Sequence, residues 1–143
     1  MDLEKSKLLL FHCMKNIFSP GHKKTFTKVV MAEDTAAFHS GEVHPVYATF
    51  AIARDAEWAG RLFVLEMKDD DEEGIGTFAH VDHHAPALTG ETVLFESEIK
   101  ELQNNNIICR FTAHVGSRLI ASGSTGQKIL KKEKLARLFD RAK

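Results

Sequence analysis

The sequence predicts an α+β fold in which a curved antiparallel sheet wraps around one central helix. Three observations predict it. A Pro-free stretch from about Phe50 to Lys68 has helical period, the chain after Gly74 changes to period two, and the helix comes early with a meander of four strands behind it. Such a meander buries the helix by curling around it.

Each element has its own signal. From about Leu3 to Phe18, Leu8, Phe11 and Met14 recur near helical period, with Leu9 and Cys13 beside them, up to Ser19-Pro20-Gly21; an N-terminal helix is expected. Lys24 to Met31 is rich in Thr, Val and Phe and suits a strand, and Ala32 to Pro45 reads as a loop. In the central helix, Ile52, Ala53, Ala56, Ala59, Gly60, Phe63, Val64 and Met67 form an apolar face made largely of Ala and Gly, which lets the backbone lie close to a sheet. Lys68 to Glu73 is an acidic, solvated turn. Val93, Phe95, Ser97 and Ile99 alternate with Leu94, Glu96, Glu98 and Lys100, and Ile107, Cys109, Phe111, Ala113 and Val115 with Ile108, Arg110, Thr112 and His114. They predict two half-buried antiparallel strands joined by the Asn104-Asn105-Asn106 turn. Gly76 to His84 and Leu119 to Leu130 flank them, and the polar tail from Lys131 to Lys143 has room for a short helix. The expected divisions are a helical extension over 1–20, one domain over 21–132 and a tail over 133–143.

Composition excludes several function classes. With 143 residues, 43% hydrophobic and 27% charged, the chain can build one core and lies far from the disordered regime. A net charge of -1 gives no general attraction to nucleic acid or to an anionic membrane. Cys13 and Cys109 are too few for a disulfide framework and have no zinc-ligand spacing. The most apolar N-terminal run, Leu8 to Phe11, is too short for a signal-peptide core or a membrane span, so a cytoplasmic protein is expected.

Three places could carry chemistry. Glu57 lies among Ala53, Ala56 and Gly60, sharing the apolar face of the central helix instead of the solvated face assigned to Arg54, Asp55 and Arg61. A carboxylate there needs a partner or a function; a Glu at the flank reaching solvent or a salt bridge is the ordinary alternative. The run His80-Val81-Asp82-His83-His84 puts His80, Asp82 and His84 on one face of a strand and His83 on the other. The first three are possible zinc or iron ligands, yet same-face neighbours stand about 7 Å apart, wide for one ion. A surface cluster without function and a single catalytic histidine are the other readings. Thr49 precedes the helix and suits its N-cap, while a hydroxyl at a helix N-terminus also suits a nucleophile or a donor to substrate.

Read together, Val46-Tyr47-Ala48-Thr49, Glu57-Trp58-Ala59, Gly76-Thr77 and Val81-Asp82-His83 form an ordered pattern. In residue types and order the chain resembles the fluoroacetyl-CoA thioesterase type of hotdog protein. In that group an Ala-Thr precedes the central helix, a Glu-Trp-Ala lies within it, a Gly-Thr opens the next strand and a His follows. The resemblance continues through Thr112-Ala113-His114 and Ala121-Ser122-Gly123, covering about Gly21 to Leu130. It implies a hotdog fold, hydrolysis of a short or medium acyl-CoA without a cofactor or metal, and Thr49, Glu57 and His83 as the catalytic set. It also implies substrate-binding positions at Gly76, Val43 and Gln127, and a homodimer, with pairing into tetramers open, whose active sites lie at the dimer interface.

The chain also departs from the pattern. Ser40 and Val43 stand where members with a narrow acyl pocket carry aromatic residues, and Thr125-Gly126-Gln127 replaces the usual His-Glu-Arg. A broader or different acyl-CoA is therefore expected. Competing functions are a hotdog protein that binds acyl-CoA without turning it over, a metal-dependent enzyme built on His80, Asp82 and His84, and a hydratase or dehydratase of the same fold. The last lacks its usual Asp/His signature on the helix.

Overall fold

The computed structural model of the chain describes residues 14–143. Its strands are β1 (Lys23–Val29), β2 (Thr35–Phe38), β3 (Gly41–Tyr47), β4 (Glu72–His83), β5 (Thr92–Gln103), β6 (Asn106–Val115) and β7 (Arg118–Lys131). Its helices are α1 (Thr49–Met67), between β3 and β4, and α2 (Lys132–Arg141), after β7. Five strands form one antiparallel sheet in the order β1-β5-β6-β7-β4, and β2 and β3 form a separate two-stranded ribbon. The sheet wraps α1, which is the hotdog arrangement expected from the sequence.

The period-two reading of β5 and β6 holds at Val93, Phe95, Ser97 and Ile99, and at Ile107, Cys109, Phe111 and Ala113, which are the buried positions; Val115, expected on the same face, is only half-buried, beyond a register shift after Ala113. Their connection turns at Asn104, whose φ of 56° is a left-handed conformation that Asn tolerates better than most residues. Two apolar clusters fill the space under α1. One gathers Tyr47, Ile52, Ala56, Ala59, Phe95, Phe111 and Ile120; the other gathers Phe63, Val64, Met67, Ile99, Ile107 and Ile129. At Gly60 a Cβ would stand 3.0 Å from Thr125 Oγ1 and 3.2 Å from Gln127 Nε2, so the absence of a side chain lets α1 settle onto β7.

Several expectations need correction. Most of the expected N-terminal helix, Leu3 to Cys13, lies outside the described residues, and Met14 to Phe18 is not helical. Instead Lys15 N–H donates to Met67 O at 2.7 Å, and Met14 and Phe18 pack on the second cluster. The segment 32–45, read as a loop, contains a short 3-10 turn (Ala32–Asp34), β2 and most of β3. Its strands are mostly exposed, carry Pro45 and pair with shifts in register, so they lack the alternation that marks a half-buried strand. The acidic turn is shorter than expected: β4 begins at Glu72, which is buried, and Glu72 Oε1 accepts Asp69 N–H at 2.9 Å. Burial pushes its pKa above the ordinary carboxylate value. The tail does form a helix, α2, with Leu135 turned inward.

Candidate active site

The first turn of α1 meets the last residue of β4. Thr49 is the first helical residue, not the cap: the cap position is Ala48, and no side chain caps the helix. The hydroxyl is engaged elsewhere, with Thr49 Oγ1 2.9 Å from His83 Nδ1. The imidazole is half-buried, and its other nitrogen, Nε2, is shielded from solvent and has no hydrogen-bond partner. A buried ring nitrogen left unpaired is costly unless something else comes to meet it.

Glu57 lies two turns further along α1, half-buried on the flank above β4. Its carboxylate rests over Gly76, where a Cβ would come within 1.8 Å of Oε1. Only glycine leaves that space open. Gln127, buried on β7, donates from Nε2 to the Glu57 carbonyl at 3.1 Å and so ties this turn of the helix to the sheet. Glu57, Gly76 and Gln127 line one open depression of about 330 Å³ together with Arg54, Trp58, Arg61 and Gly74. Gly76 and Gln127 thus belong with Glu57, whereas Val43 lies on β3, 53% exposed and outside this depression.

The predicted set is therefore divided into two halves within one chain. Thr49 and Glu57 are eight residues apart on a helix, about 12 Å along its axis, and Gly76 and His83 are seven apart on a strand, about 23 Å. The hydroxyl–imidazole pair sits at one end of β4 and the carboxylate near the other. Between them Gly76 to His80 is exposed, and β4 is the last strand of the sheet, with one row of backbone groups unpaired.

His80, Asp82 and His84 do not gather as ligands. His80 Nε2 lies 3.1 Å from Asp82 Oδ2, and His84 Nε2 lies 2.7 Å from Ser122 Oγ. Among the described residues, the group of His, Cys, Asp or Glu close enough to share an ion is Asp69, Asp71 and Glu72, at the turn into β4. There Lys131 Nζ is 2.9 Å from Asp71 Oδ2. Cys109 is buried under α1, its thiol pushed up to about 11 by burial against a smaller opposing effect of Ser97, so it is not a thiolate at neutral pH.

One group escaped sequence reasoning. Asp55, assigned to the solvated face, is buried and accepts a hydrogen bond from the Tyr47 hydroxyl. Arg54 binds Asp55 and, at 2.7 Å, Asp34 Oδ1, while Lys28 Nζ and Met31 N–H reach Asp34 Oδ2 at 3.0 and 2.9 Å. Burial alone would raise the Asp34 pKa, but Arg54, the Met31 amide and Lys28 together hold it below its ordinary value. This network fixes the junction leading into α1, where Ala48 N–H also donates to Asp34 O at 2.8 Å. The adjacent pair Arg54-Asp55 was the available signal, but its partners lie far away in sequence.

Comparison with known proteins agrees with this fold. The family model described as FlK, fluoroacetyl-CoA-specific thioesterase, matches residues 30–133. A thioesterase superfamily member from Thermus thermophilus is 36% identical and superposes with a TM-score of 0.84 over 89% of this chain and 94% of its own. A point mutant of the fluoroacetyl-CoA-specific thioesterase, crystallised with fluoroacetate and CoA, is 26% identical, with a TM-score of 0.75 over 82% of this chain and 99% of that one. A hot-dog-like protein from Thermanaerovibrio acidaminovorans, at 19% identity and a TM-score of 0.77, shares the fold over 87% of this chain and 93% of its own. No curated protein sequence matches the chain.

Proposed function

The chain belongs to the FlK family of fluoroacetyl-CoA-specific thioesterases and is a thioester hydrolase; from that premise we propose that it hydrolyses a short or medium acyl-CoA to the free acid and CoA, as a homodimer with Thr49, Glu57 and His83 as its catalytic set. The observation that carries this reading is the contact between Thr49 Oγ1 and His83 Nδ1, with Nε2 held dry and unpartnered. When the hydroxyl donates to Nδ1, the ring proton resides on Nε2. Once substrate binding uncovers Nε2, that proton can pass to the thiolate that leaves as the C–S bond breaks. The N–H groups of the first turn of α1 supply donors for the carbonyl oxygen. Glu57 either takes a proton from the water that attacks the carbonyl, or attacks the carbonyl itself to give a mixed anhydride that water then hydrolyses to the free acid, restoring the carboxylate.

Dimerisation accounts for the separation of the two halves. If β4 pairs with β4 of a second copy, antiparallel about an axis near residue 79, Gly76 of one protomer comes opposite His83 of the other. Glu57 from one chain then faces Thr49 and His83 from its partner. The exposed edge and the glycine beneath the carboxylate support this arrangement.

Complementation tests it. Glu57→Ala and His83→Ala, each inactive alone in thiol release from acyl-CoA, are mixed and allowed to exchange subunits. Composite sites leave one intact site in each mixed dimer, so about a quarter of wild-type activity returns. No recovery despite exchange would place both halves in one chain. Activity that persists in both single variants would remove the catalytic set, and tight CoA binding without turnover would leave a binding protein. Among the described residues no helix is long and apolar enough to cross a membrane; we place the protein in the cytoplasm as part of the same proposal.

A further inference from the structure

Tyr47 is the largest side chain of the first apolar cluster and is fully buried, yet it carries a hydroxyl into that cluster. The hydroxyl donates to Asp55 in the second turn of α1, and Arg54 donates to the same carboxylate from Nε and Nη2, each at 3.0 Å. Burial, with Asp55 beside it, pushes the phenol above its ordinary pKa, so it remains a donor. Stability alone does not call for this arrangement. Apolar side chains of similar volume often fill such a site without loss, because the attraction between buried charges offsets their desolvation only in part.

The network lies where both members of the hydroxyl–imidazole pair are held. Tyr47 N–H donates to Ala87 O and Ala48 N–H to Asp34 O, each at 2.8 Å. Ala87 follows His83 by four residues, and the segment between is pinned to β7 by His84 N–H and Ala85 N–H, which donate to Ile120 O at 2.7 and 3.1 Å. The backbone just before Thr49 is therefore fixed, and one of its ties runs to the segment behind His83. What remains to be set is the roll of α1 about its own axis. Its buried face at this end is largely alanine, Ala51, Ala56 and Ala59, which offers few projections to interlock with the sheet. The Tyr47–Asp55 bond joins the strand before the helix to the second helical turn and so opposes a roll. A side-chain oxygen stands roughly 3 Å from a helix axis, so a roll of about 20° would carry Thr49 Oγ1 by ~1 Å. That is enough to break its 2.9 Å contact with His83 Nδ1. Arg54, held by Asp34 and Asp55, also lines the depression at Glu57, so the same network reaches the other half of the site.

We infer that Tyr47 and Asp55 are positioning residues of the hydrolytic reaction, their hydrogen bond locking α1 in the orientation that brings the Thr49 hydroxyl to His83 Nδ1. The inference rests on the reading of Thr49 and His83 as catalytic. Tyr47 and Asp55 act through Thr49.

A double-variant cycle on the full chain, followed by thiol release from acyl-CoA, tests it. Tyr47→Phe keeps the ring in the core and should lower kcat about tenfold with KM within about twofold of wild type. In a Thr49→Ala background the same change should cost less than about twofold, since the residue it acts through is gone. A purely structural contribution would lower activity by the same factor in both backgrounds, and that result overturns the inference. Asp55→Ala should repeat the pattern of Tyr47→Phe and add little to it in combination; full additivity of the two counts against the inference in the same way. The tautomer of His83, read from its ring nitrogen chemical shifts while the ring is neutral, reports the contact without turnover. The wild type should hold the proton on Nε2, and Tyr47→Phe should spread it over both nitrogens. An unchanged tautomer overturns the inference. Full activity in Thr49→Ala, with a tautomer that still responds to Tyr47→Phe, would remove the catalytic reading and leave the positioning contact standing.

Discussion

Replacing Gly76 with alanine asks a single methyl group to share space with the Glu57 carboxylate. The new Cβ would stand 1.8 Å from Oε1 and 3.0 Å from Cδ, and ordinary contact needs about 3.3 Å, so the carboxylate must retreat by roughly 1.5 Å. The atom that must move is the free end of a flexible, half-buried side chain, and Gly76 has no positive φ that would strain an alanine. An off-rotamer Glu costs about 0.5–1.5 kcal/mol, and removing a strand glycine returns about 0.4–1 kcal/mol. Global stability should therefore change little. Catalysis should not be spared, because a displacement of about 1 Å in a reacting group costs on the order of 10²-fold. Thiol release from acyl-CoA, followed with a chromogenic disulfide, should fall about a hundredfold while the melting temperature stays within a few degrees. A Gly76→Ala protein that hydrolyses within threefold of wild type would refute the placement of Glu57 at the reacting centre. Gly123→Ala is the contrasting control: its Cβ would stand 1.8 Å from the backbone oxygen of His80, which cannot swing away, so that variant should lose stability instead.

Three other perturbations have definite expected outcomes. Glu72→Gln keeps an acceptor for Asp69 N–H but removes a charge whose pKa burial has raised; the variant should melt above wild type at pH 7, with the gap closing as the pH falls below the carboxylate range. Asp34 is the opposite case. Its charge contributes stability above the usual Asp value and loses it as pH falls through a lowered one, so Asp34→Asn should cost about 1.5–3 kcal/mol in denaturant unfolding at pH 7 and much less near pH 2. Chelator treatment and His80→Ala should each leave hydrolysis within about twofold of wild type, since His80 pairs with Asp82 on an exposed face; loss with chelator and return with zinc would restore the metal reading.

Legibility varied with how local the determining signal was. The alternation in β5 and β6 could be read directly, because one face is buried and a strand repeats every two residues. Central-helix bounds came within a residue or so for the same kind of reason. The β2–β3 ribbon escaped because exposed strands impose no alternation, and the buried Glu72 looked like part of a solvated turn because its partner is a backbone amide. Asp55 is the clearest miss. By angle it lies at the margin of the apolar face, and only the Tyr47 hydroxyl and Arg54 make its burial tolerable.

From residue order alone, the chain specified a helix with a small-residue face, a meander to wrap it, and an ordered pattern, Ala48-Thr49, Glu57-Trp58-Ala59, Gly76-Thr77 and His83, with the residue types of one family. These follow from periodicity and side-chain chemistry, which act over a few residues or within one. Tertiary structure decided which groups meet: Thr49 with His83 rather than with the helix cap, Glu57 with Gly76, and Gln127 with the Glu57 carbonyl. Each of those contacts joins residues 19 to 70 positions apart, a span at which no local preference acts and only the pairing register of β4 and β7 sets the distance.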